Sequence, residues 1–250
     1  MDPLHAYPLL ALAAFAAGVL NAIAGGGSFL TFPALVFTGV PPIVANATSA
    51  LAVSPGYLGS TLGFRRELRE LPPARLRREA LIASIGGVAG ALLLLVTPAS
   101  VFSGIVPWLL LFATVLFAAG PRIAKRVGAR QRAGARWRDP GLFAVSVYGG
   151  YFNGGLGILL MALYTLAGES RINTMNALKN FNSLVLSWLS VAAFVVAGAI
   201  AWKQGVLMMA AATLGGFVGA HGARRLLAAW IRAVVIATGA IMSVVFFAKG

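Results

Sequence analysis

Asn21-Ala22-Ile23-Ala24-Gly25-Gly26-Gly27-Ser28, followed by Asn46-Ala47, returns about 130 positions later as Asn153-Gly154-Gly155-Leu156-Gly157 and Asn176-Ala177. One residue out of that register, Gly86-Gly87-Val88-Ala89-Gly90-Ala91 returns as Gly215-Gly216-Phe217-Val218-Gly219-Ala220. Each half of the chain holds a glycine turn, an Asn-bearing helix and a small-residue helix. Hydrophobic halves broken by glycine at matching positions point to a membrane transporter whose substrate site lies where the halves meet.

The surrounding composition agrees. Of 250 residues 59% are hydrophobic and 10% charged, with mean hydropathy +0.87. A soluble fold of this length cannot bury so much apolar surface, whereas a polytopic membrane protein turns it to lipid. The net charge of +14 comes from 20 Lys and Arg gathered in short blocks between apolar runs, a topology signal rather than a nucleic-acid footprint. With no Cys, disulfides, a catalytic thiol and thiolate metal sites are excluded. Met1 to Tyr7 lacks the basic start of a signal peptide, so the N-terminal stretch is expected to be retained. No His-Glu-x-x-His and no Gly-Lys-Ser/Thr loop is present, and neither a metal nor a cofactor is expected.

Basic blocks set the expected orientation. Arg65 to Arg78 carries six arginines, Arg122 to Arg138 six more plus Lys125, and Arg224, Arg225 and Arg232 form a third block. All three belong on the cytoplasmic side. Full spans are expected at 43–64, 80–97, 103–120, 176–200, 204–220 and 230–248. The stretches 6–39 and 141–168 are broken by glycine, and the second is too short for two spans of about 20 residues each, so each is expected to be a hairpin of broken helices. A hairpin plus three spans is an odd number of crossings, which inverts one half relative to the other. The expected fold is all-α: a first membrane repeat 1–120, a basic cytoplasmic linker 121–140 and a second membrane repeat 141–250. The C-terminus is expected outside.

A helix starting just after Gly25-Gly26-Gly27 or Gly154-Gly155 offers free N–H groups and about half a positive charge, which suits an anion. Glycines also serve simply for close helix packing, but here they cluster, recur and interrupt the spans. Lys179 stands inside an apolar span, with Asn176, Asn180, Ser183 and Ser187 at helical spacing on a broadly common face. A lysine at mid-bilayer costs about 2.5–3.5 kcal/mol, so it either serves a ligand or snorkels to the nearby interface. Asn21, Ser28, Asn46, Thr48, Ser49, Asn153 and Gly157 complete the expected anion site. His221 reads as an interfacial residue at a helix end. Glu169 reads as a loop charge, and Asp2, Glu67, Glu70, Glu79 and Asp139 are expected in or beside loops, with no buried carboxylate pair to support proton or sodium coupling through Asp or Glu. A Ser28–His221 intramembrane hydrolase dyad lacks the glycine after the serine and has no counterpart in the repeat, so no enzyme activity is expected.

The run Gly18-x-x-Asn21-x-x-x-Gly25-Gly26-Gly27-Ser28-x-x-x-x-Pro33-x-Leu35-x-x-x-Gly39, then Ala45-Asn46-Ala47-Thr48-Ser49, resembles the opening half of the TauE/SafE sulfite exporter family. Asn153-Gly154-Gly155-x-Gly157, Asn176-Ala177-Leu178-Lys179-Asn180 and Gly215-Gly216-x-x-Gly219-Ala220 resemble its second half. The resemblance implies a bacterial inner-membrane carrier that moves sulfite, sulfoacetate or another small organosulfonate, with membrane lipid and a small anion as its partners and no nucleic acid. The same site also suits a passive anion pore, which would show flux that saturates poorly and no counterflow. A non-transporting scaffold would gain no stability from an anion.

Overall fold

The computed structural model describes residues 3–23, 26–128, 137–222 and 228–249, and its ordered elements are all helices. The first half holds α1 (Pro3–Ile23), α2 (Ser28–Phe37), α3 (Pro42–Gly63), the short α4 (Arg65–Arg69), α5 (Pro73–Val96) and α6 (Ala99–Gly128). In the second are α7 (Arg138–Tyr151), α8 (Leu156–Leu166), α9 (Ile172–Val196), α10 (Trp202–Gly222) and α11 (Ala228–Lys249). Helices stand at all six expected spans, and both glycine-broken stretches are helix pairs, α1 with α2 and α7 with α8. The chain is an all-helical polytopic membrane protein.

Local chemistry explains the boundaries. Proline at the first turn, with φ already helical and no N–H to satisfy, starts α3 after Pro41 and α5 after Pro72. Gly26 (φ 97°) and Gly155 (φ 77°) adopt the left-handed conformation that a Cβ disfavours, and the chain re-enters a helix directly after each turn. At the end of α9 the Ala199 N–H reaches back to the Phe194 carbonyl over Gly198, closing the helix about four residues earlier than the sequence suggested.

One boundary changes the chemistry. Because α5 begins at Pro73 rather than at 80, Arg75, Arg77, Arg78 and Glu79 are helical, and Glu79 is not beside a loop but wholly buried. It shares a face with Ala83, Gly86 and Gly90, which are also buried. Meanwhile α6 continues through Gly128 into the stretch assigned to the linker.

By length and apolarity, three helices among the described residues can cross a membrane: α5, the Ala99–Leu116 part of α6, and α9. The polar α3 has another role. Its Asn46, Thr48, Ser49 and Ser54 are buried, so its polarity faces the protein interior rather than lipid.

The two halves are packed through each other. α1 lies along α10 and α5 along α7, so the broken-hairpin helix of each half packs on the small-residue helix of the other. α3 packs against α9 and α6 against α11, each pair joining counterparts in the repeat. Glycines permit the close crossings: a Cβ at Gly150 would strike the Gly87 carbonyl oxygen, and one at Gly18 would strike the Ala212 carbonyl and the Gly216 backbone. Gly150→Val is therefore expected to lower the melting temperature sharply, because backbone cannot move aside as a side chain can. Gly104→Ala on α6, where a Cβ meets nothing within 4 Å, should leave melting unchanged or slightly raised. Equal melting of the two variants would show that the α5–α7 crossing is not close.

Three ion-pair contacts gather one end of the bundle. Arg171 meets Glu70 (3.1 Å), Arg75 meets Glu169 (3.4 Å), and Arg78 meets Asp139. The loop that follows α3, the turn that precedes α9 and the start of α7 therefore share that end.

Candidate functional site

Rings bring the two broken hairpins together. Phe32 of α2 stands edge-on to Phe152 in the α7–α8 break at 5.6 Å, and Asn46 of α3 donates to the Tyr151 carbonyl at 3.0 Å. The expected site residues lie around this junction, but the structure divides them into two groups.

The first group is occupied within the protein. The Asn21 Oδ1 accepts from the Gly27 N–H at 2.7 Å, capping the turn into α2 and removing one of the donors expected to face an anion. Ser49 and Thr31 share a hydroxyl hydrogen bond of 2.6 Å between α3 and α2. Thr48 accepts from the Ala201 N–H (3.0 Å), satisfying the backbone where the chain enters α10. Asn153 accepts from the Tyr57 hydroxyl at 3.4 Å, and the Gly154 carbonyl accepts from Tyr148 at 2.7 Å. Ser28 is buried in the first turn of α2. Gly25 lies outside the described residues, as does the side chain of His221, so the structure brings nothing to a Ser28–His221 pair.

The second group is open. Among the described residues, Lys179, Asn176 and Asn180 make no side-chain hydrogen bond or ion pair, and all three lie on α9. The Lys179 stem runs beside the first turn of α8, 3.6 Å from where a Gly157 Cβ would stand. Gly157 lies about 14 Å up α8 from its Leu166 end, and Lys179 about 10 Å along α9 from Ile172, at 1.5 Å per residue. The side chain thus reaches inward rather than toward the nearer end of the bundle, the opposite of snorkelling. At the same place the Ile158 and Leu159 N–H groups bond to the Gly155 carbonyl, while the Gly157 N–H finds no backbone partner. A cation and the positive end of a helix converge where the described residues put no carboxylate.

Gly27 and Gly157 consequently answer substitution differently. A Cβ at Gly27 would press on the Asn21 amide (2.6 Å) and the Ala17 carbonyl (2.7 Å), so Gly27→Val should disturb the fold itself. Gly157→Val fills only the space beside Lys179, and it is the informative variant for binding.

A second polar centre was not expected from sequence. Glu79, with no exposed surface, accepts from Arg75 Nε (3.0 Å), from the Tyr164 hydroxyl (2.6 Å) and from Asn182 Nδ2 (2.9 Å), with Arg138 Nε at 3.8 Å. Arg75 also holds Glu169. One carboxylate therefore ties α5, α7, α8 and α9 together near the end of the bundle that carries the basic loops. Each of its oxygens is compensated, as a buried charge requires. The sequence did contain a signal: Glu79 stands i−4, i−7 and i−11 from Ala83, Gly86 and Gly90, on the inward stripe of α5.

Known proteins place this architecture. The chain matches the family model described as Sulfite exporter TauE/SafE over residues 10–246. It is 32% identical over 230 residues to the probable membrane transporter protein ORF9 of Sinorhizobium sp, covering 87% of this chain and 81% of that protein. It is 29% identical over 247 residues to the probable membrane transporter protein YfcA of Escherichia coli K12 (94% and 87% covered). A probable membrane transporter protein of Haemophilus influenzae is 31% identical over 219 residues (82% and 80% covered). No solved structure matches. With two glycine-broken hairpins, their interlocked small-residue helices and a family match spanning nearly all of both halves, the chain belongs to the TauE/SafE sulfite exporter family.

Proposed function

We propose that this protein is a membrane transporter, not an enzyme, that exports a small sulfur oxyanion or sulfonate by alternating access around one site between the halves. The observation that carries this reading is the Lys179 ammonium reaching to the first turn of α8 with no counter-charge among the described residues. Such a lysine in a membrane helix needs a partner, and the unpaired amides of Asn176 and Asn180 beside it are hydrogen-bond donors suited to oxyanion oxygens. The family match and relatives named as probable membrane transporters support transport as the activity. Proteoliposome flux of sulfite, sulfate, sulfoacetate, taurine and thiosulfate in parallel tests it. Saturable flux with counterflow for one of the sulfur anions is the expected result, and no flux of any of them would overturn it.

The arrangement is read as two inverted repeats, 1–120 and 141–250, joined by the basic segment 121–140 in a bacterial inner membrane with the basic loops cytoplasmic and the C-terminus outside. The contact of Glu70, at the end of the short α4 that follows α3, with Arg171, just before α9, supports inversion, since these counterpart helices then run in opposite senses. Thr38 follows α2 and Ser170 follows α8, at corresponding turns. In this cysteine-free chain, Thr38→Cys should label only from outside and Ser170→Cys only from the cytoplasm. Labelling of both from one side would end the inverted model.

A further inference from the structure

Buried hydroxyls on these helices normally turn back on their own backbone. Thr114 donates to the Leu110 carbonyl, Ser190 to Leu186 and Ser243 to Gly239, all at 2.6–2.8 Å and each four residues earlier. Ser183 and Ser187 of α9 do not. Their side chains are 0% and 1% exposed, and neither hydroxyl has a partner among the described residues. Ser146, also unpartnered, stands in the α5–α7 crossing against Gly86, and Thr61 is near the end of α3.

Asn176, Asn180, Ser183 and Ser187 fall within about 60° of one another around α9, beside Lys179. Their counterparts in the first half, 130 residues earlier, show what this face does when it is closed. Asn46 bonds to the Tyr151 carbonyl, Val53 fills its place with an apolar side chain, and Tyr57 reaches Asn153. In α9 the matching residues are Asn176, which has no side-chain partner among the described residues, Asn180 in place of Ala50, and two serines in place of Val53 and Tyr57. The face is closed by Val53 and Tyr57 on α3, and on α9 it is polar throughout, with short serines at those two positions.

We propose that Ser183 and Ser187, reached past the Asn180 amide that stands beside Lys179, form a second, uncharged position for the oxyanion or sulfonate, about 6–12 Å along α9 from Lys179. This rests on the reading of Lys179 as an anion ligand. Neutral hydroxyl and amide donors hold the sulfonate oxygens without the strength of an ion pair, so the anion can leave the lysine by stepping to them when the carrier releases it. A buried hydroxyl with no protein partner is otherwise a cost to folding, and its retention on the face next to the lysine is accounted for by a ligand.

The test uses the full chain in proteoliposomes with sulfite and methanesulfonate. The double variant Ser183→Ala/Ser187→Ala is expected to lose tenfold or more of its flux while melting at the same temperature or higher, because each change removes a partnerless hydroxyl. Ser187→Tyr, copying Tyr57, should block flux. In Ser187→Cys, whose thiol is the only one in the chain, methanesulfonate should slow modification by N-methylmaleimide threefold or more. Normal flux in the double alanine variant, together with a Ser187→Cys thiol that methanesulfonate does not protect, would overturn the proposal and leave the two hydroxyls to water or to no partner. Lys179→Met separates the two readings. If it loses binding while the serine variants behave normally, only the second position falls; if it too binds and transports normally, the anion site falls with it.

Discussion

Replacing Lys179 with methionine is expected to weaken binding of sulfite or a sulfonate on the order of 100-fold, while the protein stays folded. Methionine matches the length and apolar stem of lysine, so packing beside Gly157 is kept and only the charge is lost. Removing one member of a buried, hydrogen-bonded charge pair costs about 2–5 kcal/mol, much of it the penalty on the charge left behind. Here that charge is the anion itself. Lys179→Arg should recover only part of the affinity, because a planar guanidinium presents its donors in a fixed fork and needs more room beside α8 than the ammonium. Thermal shift of the purified protein against increasing sulfite measures the loss, since a ligand stabilises the folded state only as its concentration exceeds the dissociation constant. An undiminished shift in the methionine variant would remove Lys179 from the site.

Glu79→Ala is expected to have the largest effect on stability. The substitution strips the acceptor from the buried Tyr164 hydroxyl, takes one acceptor from Asn182, which keeps the Leu178 carbonyl, and leaves Arg75 with Glu169 alone. Breaking a buried pair in this way costs about 3–5 kcal/mol. Glu79→Gln should fall between wild type and Ala, since the amide oxygen still accepts from Tyr164 or Asn182 but offers Arg75 no charge. Melting of the detergent-solubilised variants, with anion flux of the folded fraction alongside, distinguishes a structural tie from a part in transport. Melting of Glu79→Ala within a degree or two of wild type would show that the carboxylate is not what joins these four helices.

Much of the fold was legible because its signals are local and repeated. Apolar runs mark the spans, Gly25-Gly26-Gly27 and Asn153-Gly154-Gly155 mark the breaks, and the return of Gly86-Gly87-Val88-Ala89-Gly90-Ala91 at Gly215 marks the duplication. Boundaries were less so. Pro72-Pro73 starts α5 in the middle of a run of charge, and apolarity alone places the start seven residues later, which leaves Glu79 looking like a loop residue. That shift matters because it conceals a carboxylate with no exposed surface at all.

The sequence by itself determined that this is a helical membrane protein with glycine-broken helix pairs, since hydropathy and backbone freedom act over a few residues at a time. Which polar groups remain available to a ligand was decided by the tertiary structure. Asn46 and Asn176 are the same residue type 130 positions apart, each followed by Ala, yet Asn46 is taken by the Tyr151 carbonyl 105 residues away while Asn176 has no side-chain partner among the described residues. Thr48 is held by the Ala201 N–H, Asn153 by Tyr57, and Glu79 by Tyr164 and Asn182, all through contacts between residues 85 to 153 positions apart. A hydrogen bond forms only between groups brought within about 3 Å, and for groups so distant along the chain only the packed fold brings them that close.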